Sequence, residues 1–315
     1  MQIQSYNKKN LSGKKQKILL LAICALVAGC TSSNTDNSTN NTNNDTIASI
    51  STLDPTHSAL IKVNNRLFNV PSPLQLAGML KDFGMPYQNT ILNGTENKDR
   101  YTTTFKQSLN LGVYGADLGY INVFEQFSDA PSYFEAIRGL STELGILNAF
   151  KENTFARIEQ NSGNKDSLLY ISSLIYRDSD SYLMNSERSE TGALIIAGGW
   201  VEGMYLLTRI DNPAQMHANQ LQTIGMQKHP LNNLIELLRP YYGKLSDDYD
   251  LFLEKLSDIA NIFDGIAVKY EYKPSQTDEQ TKTTIINSET FVEIGPQQVT
   301  AIADKIAKLR EDITK

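Results

Sequence analysis

Asp117 and Glu202 each interrupt an otherwise apolar stretch, and a carboxyl in such a place does one of two things. With a second carboxyl facing it and its acidity raised by burial, it can serve general acid/base chemistry. Met by a cation or a hydroxyl, it belongs to a structural polar network in a helical core. Helical spacing puts Asp117 near the Val113/Tyr120 face. It puts Glu202 on a stripe with Ile195, Gly198, Tyr205, Leu206 and Arg209. Arg138, Arg177, Arg209 and nearby tyrosine hydroxyls are the candidate partners. Exposure discriminates the two readings: a cleft that opens onto either acid favours an enzyme, and full burial against arginine favours a scaffold.

Glu202 lies in the segment Gly192 to Tyr205, which is apolar around its whole circumference and reads as a core helix. Gly198, Gly199 and Gly203 each cost about 1 kcal/mol in a helix relative to alanine. Close approach of another helix can compensate, and Gly112, Gly115 and Gly119 offer the facing small surface. The other reading is a glycine-lined crevice that admits a ligand. Gly198-Gly199 is no phosphate loop, because no Gly-rich strand-to-helix turn surrounds it.

Other chemistry lacks a foothold. His57, His217 and His229 have no metal-site spacing, and no Gly-x-Ser-x-Gly elbow occurs, so no metal or cofactor is expected. Tyr114, Tyr120, Tyr133, Tyr170 and Tyr205 fall on apolar helix faces and read as core residues with a polar tip. Tyr241-Tyr242 is the one pair expected to be exposed enough to touch glycan or peptide.

The two cysteines are Cys24 and Cys30. Lys8, Lys9, Lys14, Lys15 and Lys17 precede an apolar run, Ile18 to Val27, and then the small residues Ala28 and Gly29. That run is too short for a span of roughly 20 residues and has the form of an export signal. Leu26-Val27-Ala28-Gly29-Cys30 resembles the lipobox of bacterial lipoproteins. The Cys30 thiol would become a diacylglyceryl thioether, and cleavage before it frees the amine for a further acyl chain such as palmitate. Thr31, rather than aspartate, follows it and resembles an outer-membrane address. Cys24 leaves with the signal, so no disulfide and no cysteine nucleophile are expected in the mature chain.

The full chain has net charge −6. Without residues 1–29, which hold five lysines and no acid, 24 basic side chains face 35 acidic ones, or −11. Such a balance argues against a nucleic-acid partner and leaves membrane binding to the lipid. Thr31 to Asp45 contains no apolar residue to bury and reads as a flexible tether within residues 30–56, reaching roughly 20–25 Å.

One domain, 57–315, is expected to be mainly α: a multi-helix bundle or array with a small β-hairpin near the C-terminus. Leu60 to Val70 reads as extended, with a turn at Asn64-Asn65. Helices are predicted around Leu74–Leu80, Thr102–Gln126, Pro131–Leu144, Asn153–Asn161, Lys165–Met184, Glu190–Ile210, Asn212–Thr223, Leu231–Leu238 and Asp247–Phe263. The stretch Gln88 to Asp99 reads as loop. Val268–Tyr272 and Thr283–Ile286 alternate and are expected to pair across a polar loop, Pro274–Lys282. A last amphipathic helix after Gly295-Pro296 carries Val299, Ile302, Ile306 and Leu309.

Asn110 to Tyr120, with Val70-Pro71-Ser72-Pro73 and Ala197 to Gly203, resembles uncharacterised envelope lipoproteins of Bacteroidetes-type bacteria. That resemblance implies placement in the cell envelope and no activity or catalytic residue. The expectation is a periplasm-facing outer-membrane lipoprotein whose helical domain binds an envelope protein or small ligand. The alternative is an envelope enzyme, such as a hydrolase, acting through the inner acids. Asp117, Glu202, Tyr205 and Arg209 are the candidate ligand-binding or polar-core residues.

Overall fold

Two long helices form the centre because both are apolar on more than one side. These are α2 (Thr104–Val123) and α4 (Ser189–Thr208). The computed structural model describes residues 59–63, 66–147, 160, 188–209, 216–278, 283–285 and 287–315. All belong to the unit Ala48–Lys315. Cys30, the tether, His57, Tyr170, Arg177 and the helices expected at Asn153–Asn161 and Lys165–Met184 lie outside the described residues, residue 160 apart.

Among the described residues eight α-helices surround and include this pair. The fold is mainly helical, with a small antiparallel sheet near the C-terminus. Helix α1 (Pro73–Asp82) and α3 (Ala130–Glu143) pack on α2, and α8 (Pro296–Thr314) packs on α4 and on α7 (Asp247–Asp264). Helices α5 (Ala218–Met226) and α6 (Lys228–Leu238) also contact α4. Trp200, Val113, Leu109, Leu256 and Ile306 are all buried in the shared core. No described helix is long and apolar enough to cross a membrane.

The ends of these helices follow local chemistry. Ser72 and Ser246 cap α1 and α7 by accepting the N–H of Gln75 and Tyr249, each at 3.2 Å. Asp247, Asp248 and Asp250 crowd the positive N-terminus of α7. Gly145 ends α3 at φ 68°, a left-handed turn in which the Ile146 N–H reaches the Ser141 carbonyl at 2.9 Å.

Three sequence expectations need correction. Val268–Tyr272 does not pair with Thr283–Ile286. Instead β3 (Ala267–Glu271) pairs with β6 (Glu289–Glu293), while β4 (Gln276–Asp278) pairs with β5 (Thr283–Ile285). The hairpin is therefore a longer arm with a break, because Pro274 has no N–H to offer a ladder. Ser288 fills the break by bonding both the N–H and the carbonyl of Lys273.

The helix expected at Asn212–Thr223 is observed at Ala218–Met226, residues 210–215 being outside the described set. Its successor begins at Lys228, since Pro230 falls in the first turn, where the missing N–H costs nothing. Only half of the Tyr241-Tyr242 pair is exposed: Tyr242 is 48% exposed, and Tyr241 is half-buried. Tyr241 packs edge-on against Tyr249 and bonds Ser189, while Tyr242 bonds Glu254.

The expected extended segments at the start form an antiparallel pair, β1 (Ala59–Val63) with β2 (Arg66–Val70), Val63 lying opposite Arg66. The turn expected at Asn64-Asn65 lies outside the described residues.

Candidate functional site

The site is set by how closely α2 and α4 approach. A Cβ on Gly112 would lie 2.0 Å from the Ile195 carbonyl oxygen, and one on Gly198 would lie 1.9 Å from that of Leu109. Backbone therefore touches backbone, which only glycine permits. The space that could have been a ligand crevice is filled by the other helix. Leu109 meets Gly198 early and Asp117 meets Glu202 later, so the helices run past each other in the same direction.

Asp117 and Glu202 are each 0% exposed. Their cation is Arg310, from α8. Its Nε donates to Glu202 Oε2 at 2.9 Å and its Nη2 to Oε1 at 3.1 Å, a two-point ion pair. Nη2 also donates to the Ile91 carbonyl at 3.2 Å. Asp117 Oδ2 accepts the Asn93 N–H at 3.1 Å, but among the described residues no donor is aimed at the enclosed Oδ1.

Burial, and then the neighbouring Glu202 charge, hold the Asp117 carboxyl well above the usual carboxylate range. Arg310 and the Asn93 N–H pull the other way and do not prevail. A proton on Asp117 directed to Glu202 satisfies the orphan oxygen and leaves the triad with no net charge.

A polar network anchors the triad to the end of α8, where helix carbonyls need partners. Asn110 Nδ2 donates to the Ile313 carbonyl at 2.7 Å, and Tyr101 Oη donates to that of Thr314 at 3.1 Å. Asn93 links the two, donating to Tyr101 Oη at 3.0 Å and to Asn110 Oδ1 at 3.4 Å. Asn93 belongs to the stretch read as loop, which holds two short 3-10 turns, Asn89–Ile91 and Thr95–Arg100.

An open cleft of about 640 Å³ lies on the other side of Arg310. Leu92, Asn93, Gly94, Asn97 and Arg100 form one wall. Asp304, Ala307, Lys308, Glu311, Thr314 and Lys315 form the other, with Tyr205, Arg209 and Arg310 between them. The Arg310 guanidinium carbon lies 4.5 Å from the Tyr205 ring centroid and that of Arg209 lies 5.5 Å away. Neither Asp117 nor Glu202 lines the cleft.

The four candidates from sequence thus divide. Asp117 and Glu202 meet inside the core, and Tyr205 and Arg209 line the cleft. Arg209 is not the acids' partner: it ends α4 exposed, its guanidinium facing the Tyr205 ring. Nor is Arg138, which pairs with Glu135 on the α3 surface. The residue sequence reasoning missed is Arg310. A signal existed: Arg310 is four residues past Ile306 and three before Ile313, so it breaks the apolar stripe of α8.

His217 and His229 are exposed, and no group of His, Cys, Asp and Glu among the described residues could hold a metal ion. No family model, curated protein or solved structure matches the chain.

Proposed function

We propose that this chain is a bacterial lipoprotein, held at the outer membrane through lipid on Cys30 and facing the periplasm. Its helical domain binds an envelope protein or small ligand in the cleft beside Arg310 and does not transform it. The burial of both inner acids carries this reading. An enzyme working through them needs a carboxyl in the cleft, whereas both are 0% exposed and one is held at two points by Arg310. What the cleft does present is Asn93, Asn97, Tyr205 and five cationic side chains against two carboxylates, Asp304 and Glu311, on its α8 wall, a lining suited to recognition.

Hydrogen exchange on the full lipidated chain in detergent, with and without envelope extract, tests the binding. Protection is expected in segments 92–100 and 304–315. Unchanged exchange there, with a component of the extract chemically altered, would instead favour the enzyme. For the anchor, Cys30→Ser is expected to move the protein from the membrane pellet to the soluble fraction, and persistence in the pellet counts against lipidation.

A further inference from the structure

We infer that the cleft takes a small ligand bearing an oxyanion group, phosphate or carboxylate, with its negative charge directed at Arg310. The inference rests on the reading of this cleft as a binding site. Five cationic side chains line it, Arg100, Arg209, Lys308, Arg310 and Lys315, against two carboxylates, Asp304 and Glu311. Glu202 balances Arg310 from behind, and Lys315 pairs with Glu311. Among the described residues no carboxylate pairs with Arg100, Arg209 or Lys308, so three cations face Asp304 alone. Even with a main-chain carboxylate at Lys315 counted, the cleft stays positive. It does so on a chain whose overall balance is acidic, −6 for the full sequence, so the concentration of positive charge here is local.

Arg310 gives this charge a direction. Nε and Nη2 are occupied by Glu202 and the Ile91 carbonyl. Nη1 has no acceptor among the described residues and is not among the enclosed unpartnered atoms, and the side chain keeps 15% exposure. The guanidinium therefore presents its remaining N–H groups to the cleft from a position fixed at two points behind and by the Tyr205 ring beneath. A fixed, charged donor backed by a dry ion pair is a favourable anchor for an oxyanion. The cleft volume of about 640 Å³ is that of a small-molecule site, larger than a lone ion needs.

The test is titration of the full chain with inorganic phosphate, with succinate and with acetate, at constant ionic strength set by chloride. Thermal stability and calorimetry give the readout. The comparison variant is Arg209→Gln/Lys308→Gln, which alters only cleft-wall side chains remote from the core. Phosphate or succinate is expected to stabilise the protein more than acetate does, and the double variant to weaken that binding about tenfold. A response to phosphate alone identifies a phosphate ligand, and one to succinate alone a dicarboxylate. Equal responses in both proteins, or none to either dianion, overturn the inference. Should envelope extract still protect the cleft from exchange in that event, the binding reading stands with a different ligand. Should it not, both fall.

Discussion

Replacing Arg310 with methionine is expected to cost about 3–5 kcal/mol of folding stability, measured by urea denaturation. The variant removes the one cation that, among the described residues, touches a carboxylate with no access to water, and it does so beside a second buried carboxyl. Glu202→Leu leaves the opposite group uncompensated, and its cost should be smaller. The Arg310 side chain is 15% exposed and can turn its charge toward the water of the cleft. Combining the two changes removes both charges at once, and a buried ion pair replaced by apolar groups of similar volume is often neutral. The double variant is therefore expected to be more stable than Arg310→Met alone. A loss below about 1 kcal/mol for the single variant would mean an exposed pair rather than this one.

Gly112→Ala and Gly198→Ala are each expected to destabilise by about 3 kcal/mol, against the ordinary trend for glycine in a helix. Helix propensity alone favours alanine by about 1 kcal/mol. Here the added carbon would sit 2.0 or 1.9 Å from a carbonyl oxygen, where even a close C–H···O contact needs about 3.3 Å. The helices must move apart by more than an ångström, which overpacks their flanks and pulls Asp117 away from Glu202. Gly78→Ala is the control. It too is helical, among the described residues nothing lies within 4 Å of the added carbon, and a gain of roughly 0.5–1 kcal/mol is expected. Thermal denaturation of the three variants should split them by sign. A common sign would contradict the backbone-to-backbone approach of α2 and α4.

Helical periodicity carries the architecture well where a helix is long and its faces differ. The spans of α2, α4 and α7 agree with expectation to within a few residues, and the apolar circumference of α4 correctly marks it as central. The two acids were legible for the same reason: a carboxyl in an apolar helix is conspicuous. Their meeting was not, because it depends on which glycines face which backbone across 85 residues of chain. Arg310 was harder, since a charged residue on an amphipathic helix usually lies on its solvated side. Only its phase against Ile306 and Ile313 shows otherwise.

The β arm misled for a different reason. Along Glu289–Glu293 the residues turned inward are Thr290 and Val292, while Phe291 points out, so hydrophobicity and burial disagree. Val292 lies inward because it seats on Gly225 of α5, a tertiary contact that no local pattern contains.

On the function proposed above, Asp117, Glu202 and Arg310 form a structural, proton-sharing triad that supports the cleft. The dependence of stability on pH tests it most directly, comparing the native chain with Asp117→Asn. The Asp117 carboxyl is held above its unfolded value of about 3.9, so between those two values the folded state keeps a proton that the unfolded state releases. That contribution is fully present below about pH 4 and is lost as pH rises toward the folded value, by up to about 1.4 kcal/mol per pH unit. Asparagine reproduces the protonated acid: its amide can donate to Glu202 while its oxygen accepts from Asn93. The variant is expected to fold, to lack that decline, and so to gain on the native protein as pH rises from about 4. Parallel curves across that range, or a variant that cannot fold at neutral pH, would contradict a proton held on Asp117 in a structural triad.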